Sequence, residues 1–190
     1  MMTTVGNHEL KSDEDVKLYE SHYSSYKSLT YKGIESGTAK WYAYQTGRLL
    51  WVVLDSDHTT AEQKMWVRRI VAAADQDETV DAIISLQHRP LYAEMYCNDV
   101  SNWMREDMVP ILSSSPKHVL NCAGHHHLYA RGQMTDYPLY HIISGGGVGT
   151  TATGYEQMFG VCLVDNKDCE EVQKTVDQYT YQILEYDPAT

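Results

Sequence analysis

A mixed α/β domain is the architecture this sequence predicts, and three observations predict it. Short apolar or β-branched runs alternate with amphipathic stretches of helix length, as in sheets covered by helices. Three of these runs stop abruptly at Gly or Pro and present Asn or His at the stop. No repeat, low-complexity tract or linker interrupts the 190 residues, so one domain over 1–190 is expected.

Taken in order, Met2-Thr3-Thr4-Val5 reads as the first strand, stopping at Gly6-Asn7-His8-Glu9. Residues 10–40 are rich in Tyr and polar side chains, with Tyr19, Tyr23 and Tyr26 at helical spacing. They predict an amphipathic helix packed on the sheet with its hydroxyls wet, a rim shaping substrate entry being the other reading. Leu50-Trp51-Val52-Val53-Leu54 is a strand that ends at Asp55 and Asp57, whose carboxylates suit a turn and the cap of the next helix. That helix is expected over 60–74, with Met65, Val67, Ile70, Val71 and Ala74 inward and Arg68 and Arg69 outward.

Ala82-Ile83-Ile84-Ser85-Leu86 is the next strand, stopping at Gln87-His88-Arg89-Pro90. A helix over 102–112 follows, with Trp103, Met104, Met108 and Ile111 inward and Ser113-Ser114-Ser115-Pro116 ending it. Val119-Leu120-Asn121-Cys122-Ala123 then leads into Gly124-His125-His126-His127. The glycine run at 145–149 is not followed by Gly-Lys-Ser/Thr, so it reads as a tight loop and not as a phosphate cradle. Residues 155–186 alternate enough to suggest a terminal antiparallel pair.

The histidine triplet carries chemistry. On extended backbone, His125 and His127 point to one side and His126 to the other. Imidazole is a common metal ligand, and clustered rings need a reason to be desolvated together; a polar surface loop is the alternative. Strand ends of an open α/β sheet form sites on one edge. Asn7, His8, His88, His125 and His127 are thereby candidates for one place.

Composition narrows the classes. With 15 Lys and Arg against 26 Asp and Glu, the formal charge is -11, which argues against a nucleic-acid backbone as partner. No apolar run is long enough to span a membrane, and Met1 opens no basic-then-apolar leader. A hydrophobic content of 43% supports a real core. Cys97, Cys122, Cys162 and Cys169 form no C-x-x-C pair; Cys162 and Cys169 flank a turn-like Asp165-Asn166-Lys167-Asp168 that a disulfide could close, with free buried thiols as the other reading. There is no Gly-x-Ser-x-Gly elbow, and no cysteine has an obvious activating partner.

Gly6-Asn7-His8-Glu9, Ser85-Leu86-Gln87-His88 and Gly124-His125-His126-His127 resemble, in order, the G-N-H-[DE], V-x-x-H and G-H-x-H blocks of calcineurin-like metallophosphoesterases. Trp41-Tyr42, Leu54-Asp55-Ser56, His88-Arg89-Pro90-Leu91-Tyr92 and Tyr140-His141-Ile142-Ile143-Ser144-Gly145 sharpen the likeness to the purple acid phosphatase branch. The resemblance implies a four-layer αββα sandwich with mixed sheets and a metal-dependent phosphoesterase that hydrolyses phosphate monoesters. It makes Asn7, His88 and His125 ligands of one metal, His127 a ligand of the other, and His8 the catalytic histidine that contacts the phosphate and assists the leaving group. In the family's complete site a hydroxide carried by a pair of Fe, Zn or Mn ions, about 3.5 to 4 Å apart, attacks phosphorus in line.

The family's two earlier blocks, which supply its carboxylates and a Tyr, have no counterpart before Gly6, so the chain looks like the carboxyl-terminal part of such an enzyme, lacking its first strands. Ser85 stands where the family has Val. The ligands that remain are three imidazoles and an amide, all neutral, and hard ions need anionic oxygens. At most one divalent ion, held weakly, is therefore expected for this chain alone, with inactivity in isolation a consequence. Small phosphate esters are the expected partners, together with self-association or a partner chain completing the sheet, and the resemblance implies an extracellular or periplasmic setting. A phosphodiesterase of the same superfamily and a non-catalytic scaffold with a degenerate metal site are the alternative functions.

Overall fold

A computed structural model describes residues 2–58, 60–93, 100–145, 173–176 and 182–187. Its centre is built by runs that are apolar without strict alternation. β4 (Leu49–Val53) and β5 (Ala82–Gln87) bury residues on both faces, which is the pattern of strands covered on two sides. Together with β3 (Tyr42–Thr46), β6 (His118–Ala123), β7 (Tyr129–Gln133), β8 (Tyr140–Ser144) and β9 (Lys174–Val176) they form a seven-stranded mixed sheet in the order β3-β4-β5-β6-β8-β7-β9. β4, β5, β6 and β8 run parallel, while β3 and β7 are antiparallel to their neighbours. The carboxyl ends of four strands therefore lie on one edge, which is what positions the site.

The α/β class with a mixed sheet is thus present. A separate two-stranded ribbon, β1 (Thr30–Tyr31) with β2 (Ile34–Glu35), accompanies the large sheet among the described residues. Its two-residue connection has positive φ at Lys32 and Gly33, the backbone that a tight hairpin with right-handed twist demands. β9 lies between the two runs expected to form a terminal pair, 159–164 and 179–184, and pairs with β7; residues 146–172, with Cys162 and Cys169, and residues 177–181 lie outside the described residues, so that pair does too.

Helix α2 (Ala61–Asp75) crosses from β4 to β5. Gln63, Trp66, Val67, Ile70, Val71 and Ala74 face inward, as a 3.6-residue repeat requires. Met65 does not: it is 60% exposed, because Trp66, one position on, occupies the inward row. The cap is Thr60, whose hydroxyl accepts from Gln63 N, and not an Asp. The expected helix over 102–112 is irregular, with a π-helical turn Met104–Met108 running into α3 (Val109–Leu112). Pro110 explains the wide turn, since it cannot donate and its ring displaces the carbonyl four residues back. Met104, Met108 and Ile111 are buried as expected.

The amino-terminal tyrosines pack as predicted but not as one helix. α1 (Asp13–His22) ends at Tyr23, and a 3-10 turn, Ser24–Ser28, follows. Rings of Tyr19, Tyr23, Tyr26, Tyr42, Tyr44 and Trp51 succeed one another at centroid distances of 4.6 to 6.4 Å. Not all hydroxyls are wet. The Tyr42 hydroxyl accepts from Thr3 N at 3.1 Å and donates to Thr3 O at 2.5 Å. One phenol thus serves both backbone groups of Thr3, and residues 2–5 form no strand. Val5 is nonetheless fully buried in this tyrosine cluster.

A buried polar chain runs along the sheet. Ser113 Oγ and Ser85 Oγ bracket the His118 ring at 3.1 and 2.9 Å, and Asn121 Nδ2 donates to Ser85 Oγ and Gln87 Oε1. Gln87 Nε2 closes the chain on the Arg89 carbonyl at 2.7 Å. Ser85, the departure from the family pattern, thus has a partner on each side. Burial lowers the His118 pKa from 6.5 to about 3, because charging a ring without water is costly. The folded pKa lies below the unfolded one, so the stability tied to a neutral His118 is complete above pH 6.5 and is lost as pH falls towards 3. Between pH 6 and 4 the unfolding free energy of the wild type should fall about 1.4 kcal/mol per pH unit more steeply than that of His118→Gln. Urea titrations at several pH values check this, and equal slopes would refute it.

Candidate metal centre

Three chain segments meet at the carboxyl edge of the sheet. β5 delivers His88 and Arg89, β6 delivers Gly124 and His125, and residues 6–8 approach from outside the sheet. Asn7 Oδ1 lies 2.8 Å from His88 Nε2, and His125 Nδ1 lies 2.9 Å from the same atom. The two rings meet edge-on with centroids 4.7 Å apart. His88 is pushed down to about 4, chiefly by burial and then by His125, while Asp57 acts in the opposite direction. It is therefore neutral at physiological pH, with a lone pair to offer.

Backbone geometry makes this approach possible. A Cβ on Gly6 would stand 2.8 Å from His88 Nδ1, so only glycine lets the chain pass the ring. Glu9 Oε2 accepts from Gly6 N, and Glu9 N donates to Gly6 O, closing a turn that fixes Asn7 and His8. Gly145, at the end of β8, touches the histidine loop so closely that a Cβ would fall 1.9 Å from the His126 carbonyl oxygen. The expected tight loop beside the cavity begins there; residues 146–149 lie outside the described residues.

The histidine loop departs from the extended backbone assumed for it. β6 ends at Ala123, residues 124–128 bend, and His125 adopts φ +66°, so period-two alternation does not govern 125–127. Backbone bonds from His126 N to Gly124 O and from Leu128 N to His126 O shape the bend. His126 still turns inward and is 3% exposed, whereas His125 and His127 are half-buried. Asn7, His88 and His125 form a hydrogen-bonded trio, and His8 and His127 stand outside it. His8 is exposed and near enough to act on the charge of His88.

Sequence reasoning assigned Asp55 and Asp57 to a turn, and the turn is present. Asp55 Oδ1 accepts from Asp57 N and His58 N, and Gln63 clamps the Asp55 backbone through both its N–H and its carbonyl. Ser56 O takes Ser101 Oγ and Trp103 Nε1. What the sequence did not show is the use of this clamped loop. Asp57 Oδ1 holds Arg89 Nε at 2.6 Å, and Arg89 Nη1 reaches His125 Nε2 at 3.1 Å. The only signal was adjacency of Arg89 to His88.

The donor types suit a borderline divalent ion: two imidazole nitrogens and an amide oxygen converge from three segments. Among the described residues no three His, Cys, Asp or Glu side chains gather to hold a metal, since the trio has two imidazoles and an amide. Cys122 supplies no nucleophile, as burial pushes its thiol up to about 12.

No family model matches the chain, and no curated protein matches it. Among solved structures it is similar to GAP50, the anchor in the inner membrane complex of Plasmodium, with a TM-score of 0.45 and 16% identity over 56% of this chain and 37% of that one. It is similar to the purple acid phosphatase PPD1 from seeds of yellow lupin, Lupinus luteus, with a TM-score of 0.49 and 20% identity over 57% and 24% of the two chains. A dimetal phosphatase from Danio rerio gives a TM-score of 0.38 and 13% identity over 74% and 41%. The chain spans less than half the length of each of these proteins.

Proposed function

We propose that this chain carries part of a metal-dependent phosphoesterase site acting on small phosphate monoesters. The observation that supports this best is the convergence of Asn7 Oδ1, His88 Nε2 and His125 Nδ1 within 2.8 to 2.9 Å from three separate segments. The three sequence blocks that resemble those of metallophosphoesterases supply these same residues. A divalent ion bound there would polarise a phosphoryl oxygen and make water a stronger nucleophile.

The chain's own residues orient and hold protons. Gly6 and Gly145 admit the close approach of backbone to the rings, and the Asp55 turn fixes Asp57, which steadies Arg89. His8, exposed beside His88, is the side chain in this reading that touches the phosphate and protonates the leaving oxygen. In the same reading His127 belongs to a second ion, for which carboxylates from outside the trio are needed.

The test is elemental mass spectrometry on protein purified without chelator, followed by turnover of p-nitrophenyl phosphate and of its bis-ester. About one divalent ion per chain, lost on His88→Ala, supports the metal site. Monoester turnover supports the phosphatase, diester turnover a phosphodiesterase, and a folded chain without any bound ion refutes the proposal.

A further inference from the structure

We propose that helix α2 carries a self-complementary docking stripe whose occupant is a second copy of this chain, the two copies related by a two-fold axis between Met65 and Trp66. Self-association expected from missing strands would use the sheet. This surface lies on the helix that covers the sheet, and the metal reading plays no part in it.

The stripe consists of Glu62, Met65, Trp66 and Arg69, at i, i+3, i+4 and i+7 of α2. Four residues so spaced frame a hole that receives a side chain from a facing helix. Here the frame borders a hollow of about 350 Å³, closed on its far side by Trp41, just before β3, and by Glu35 of the ribbon. Trp41 and Trp66, which are 8% and 5% exposed, give the hollow an apolar floor. On its rim stands Met65, 60% exposed, an unbranched thioether that fills irregular gaps and favours aromatic neighbours. Knob and hole therefore sit side by side on one helix.

The charges follow the same symmetry. Glu62 and Arg69 are exposed, and neither has a hydrogen bond or ion pair among the described residues. They stand about 10 Å apart along the helix axis, beyond the reach of the i+3 and i+4 pairs that join side chains on one helix. Laid antiparallel about the axis between Met65 and Trp66, two copies of α2 set Glu62 of each against Arg69 of the other. Met65 of each then faces the other's hollow, so the same patch serves both sides, as a two-fold interface requires. A parallel pairing in register would set Glu62 on Glu62 and Arg69 on Arg69, which like charges oppose. A chain of net charge -11 repels its own copy, so a contact between copies must bring opposite charges of its own. This stripe brings two such pairs.

Sedimentation velocity on the full chain at about 0.15 M salt measures the dimer. Glu62→Arg and Arg69→Glu should each weaken it by at least about 10-fold, because each variant sets like charges face to face twice. Mixing the two variants in equal amounts should restore near wild-type affinity, since every Arg of one then meets a Glu of the other. Met65→Ser keeps all charges and should weaken the dimer by about 10-fold through lost burial. Glu62, Met65 and Arg69 are exposed, so the variants should keep the wild-type fold, which circular dichroism checks. A wild type that stays monomeric up to about 1 mM overturns the proposal. Association that neither charge reversal weakens also overturns it and moves the contact off α2. So does a mixture of the two variants that associates no better than either alone.

Discussion

Gly145→Ala should destabilise the protein by at least about 3 kcal/mol, because the added methyl meets backbone and not the end of a flexible side chain. Its Cβ would fall 1.9 Å from the His126 carbonyl oxygen and 2.8 Å from the carbonyl carbon. Neither element can yield cheaply. Gly145 N donates to Leu128 O, and β8 is paired on both sides, to β6 and β7. The opposing loop is held by bonds from His126 N to Gly124 O and from Leu128 N to His126 O, so any shift moves His125 away from His88. Gly47→Ala provides the contrast. That glycine has φ +58° in the turn between β3 and β4, with open space around it, so it pays only the strain of a left-handed residue, about 1 to 2 kcal/mol. Urea unfolding followed by tryptophan fluorescence compares the two. Equal losses would mean that the contact between β8 and the histidine loop is not tight.

Which features were legible in the sequence depends on whether they are set locally. The α2 repeat, the doubly buried β4 and β5, and the stops at His88 and Gly124 are written in neighbouring residues, and they appear in the structure at nearly those places. The inward Trp66 and outward Met65 differ from the sequence reading because both side chains are apolar at adjacent positions, and only the helix phase chooses between them. The strand expected at 2–5 is absent, and the backbone of Thr3 is answered by the side chain of Tyr42, 39 residues away, instead of by a neighbouring strand. No local pattern reports that. Asp57 likewise reads as a turn residue in sequence, yet its oxygen is spent on Arg89 across 32 positions. The site was legible as a list of imidazoles and an amide; the guanidinium among them became visible only when parallel strands brought their ends together.

The histidine loop offers the clearest separation of binding from packing. His125→Ala should weaken divalent metal binding by about 100-fold or more, since losing partners one shell further from a metal already costs 10–100-fold. It should leave stability nearly unchanged, because the ring is half-buried and its φ of +66° is as strained for alanine as for histidine. His125→Gly should lose the metal equally but be about 1 kcal/mol more stable than His125→Ala, as glycine bears no penalty there. His126→Ala should do the reverse. Its ring is 3% exposed, so truncation opens a cavity costing about 2 to 4 kcal/mol, while the trio of Asn7, His88 and His125 stays in place. Zinc titration and urea unfolding on the same samples give both numbers for each variant. If His126→Ala loses zinc as severely as His125→Ala at a temperature where both are folded, then the loop acts as one unit, and assigning the metal to His125 alone fails.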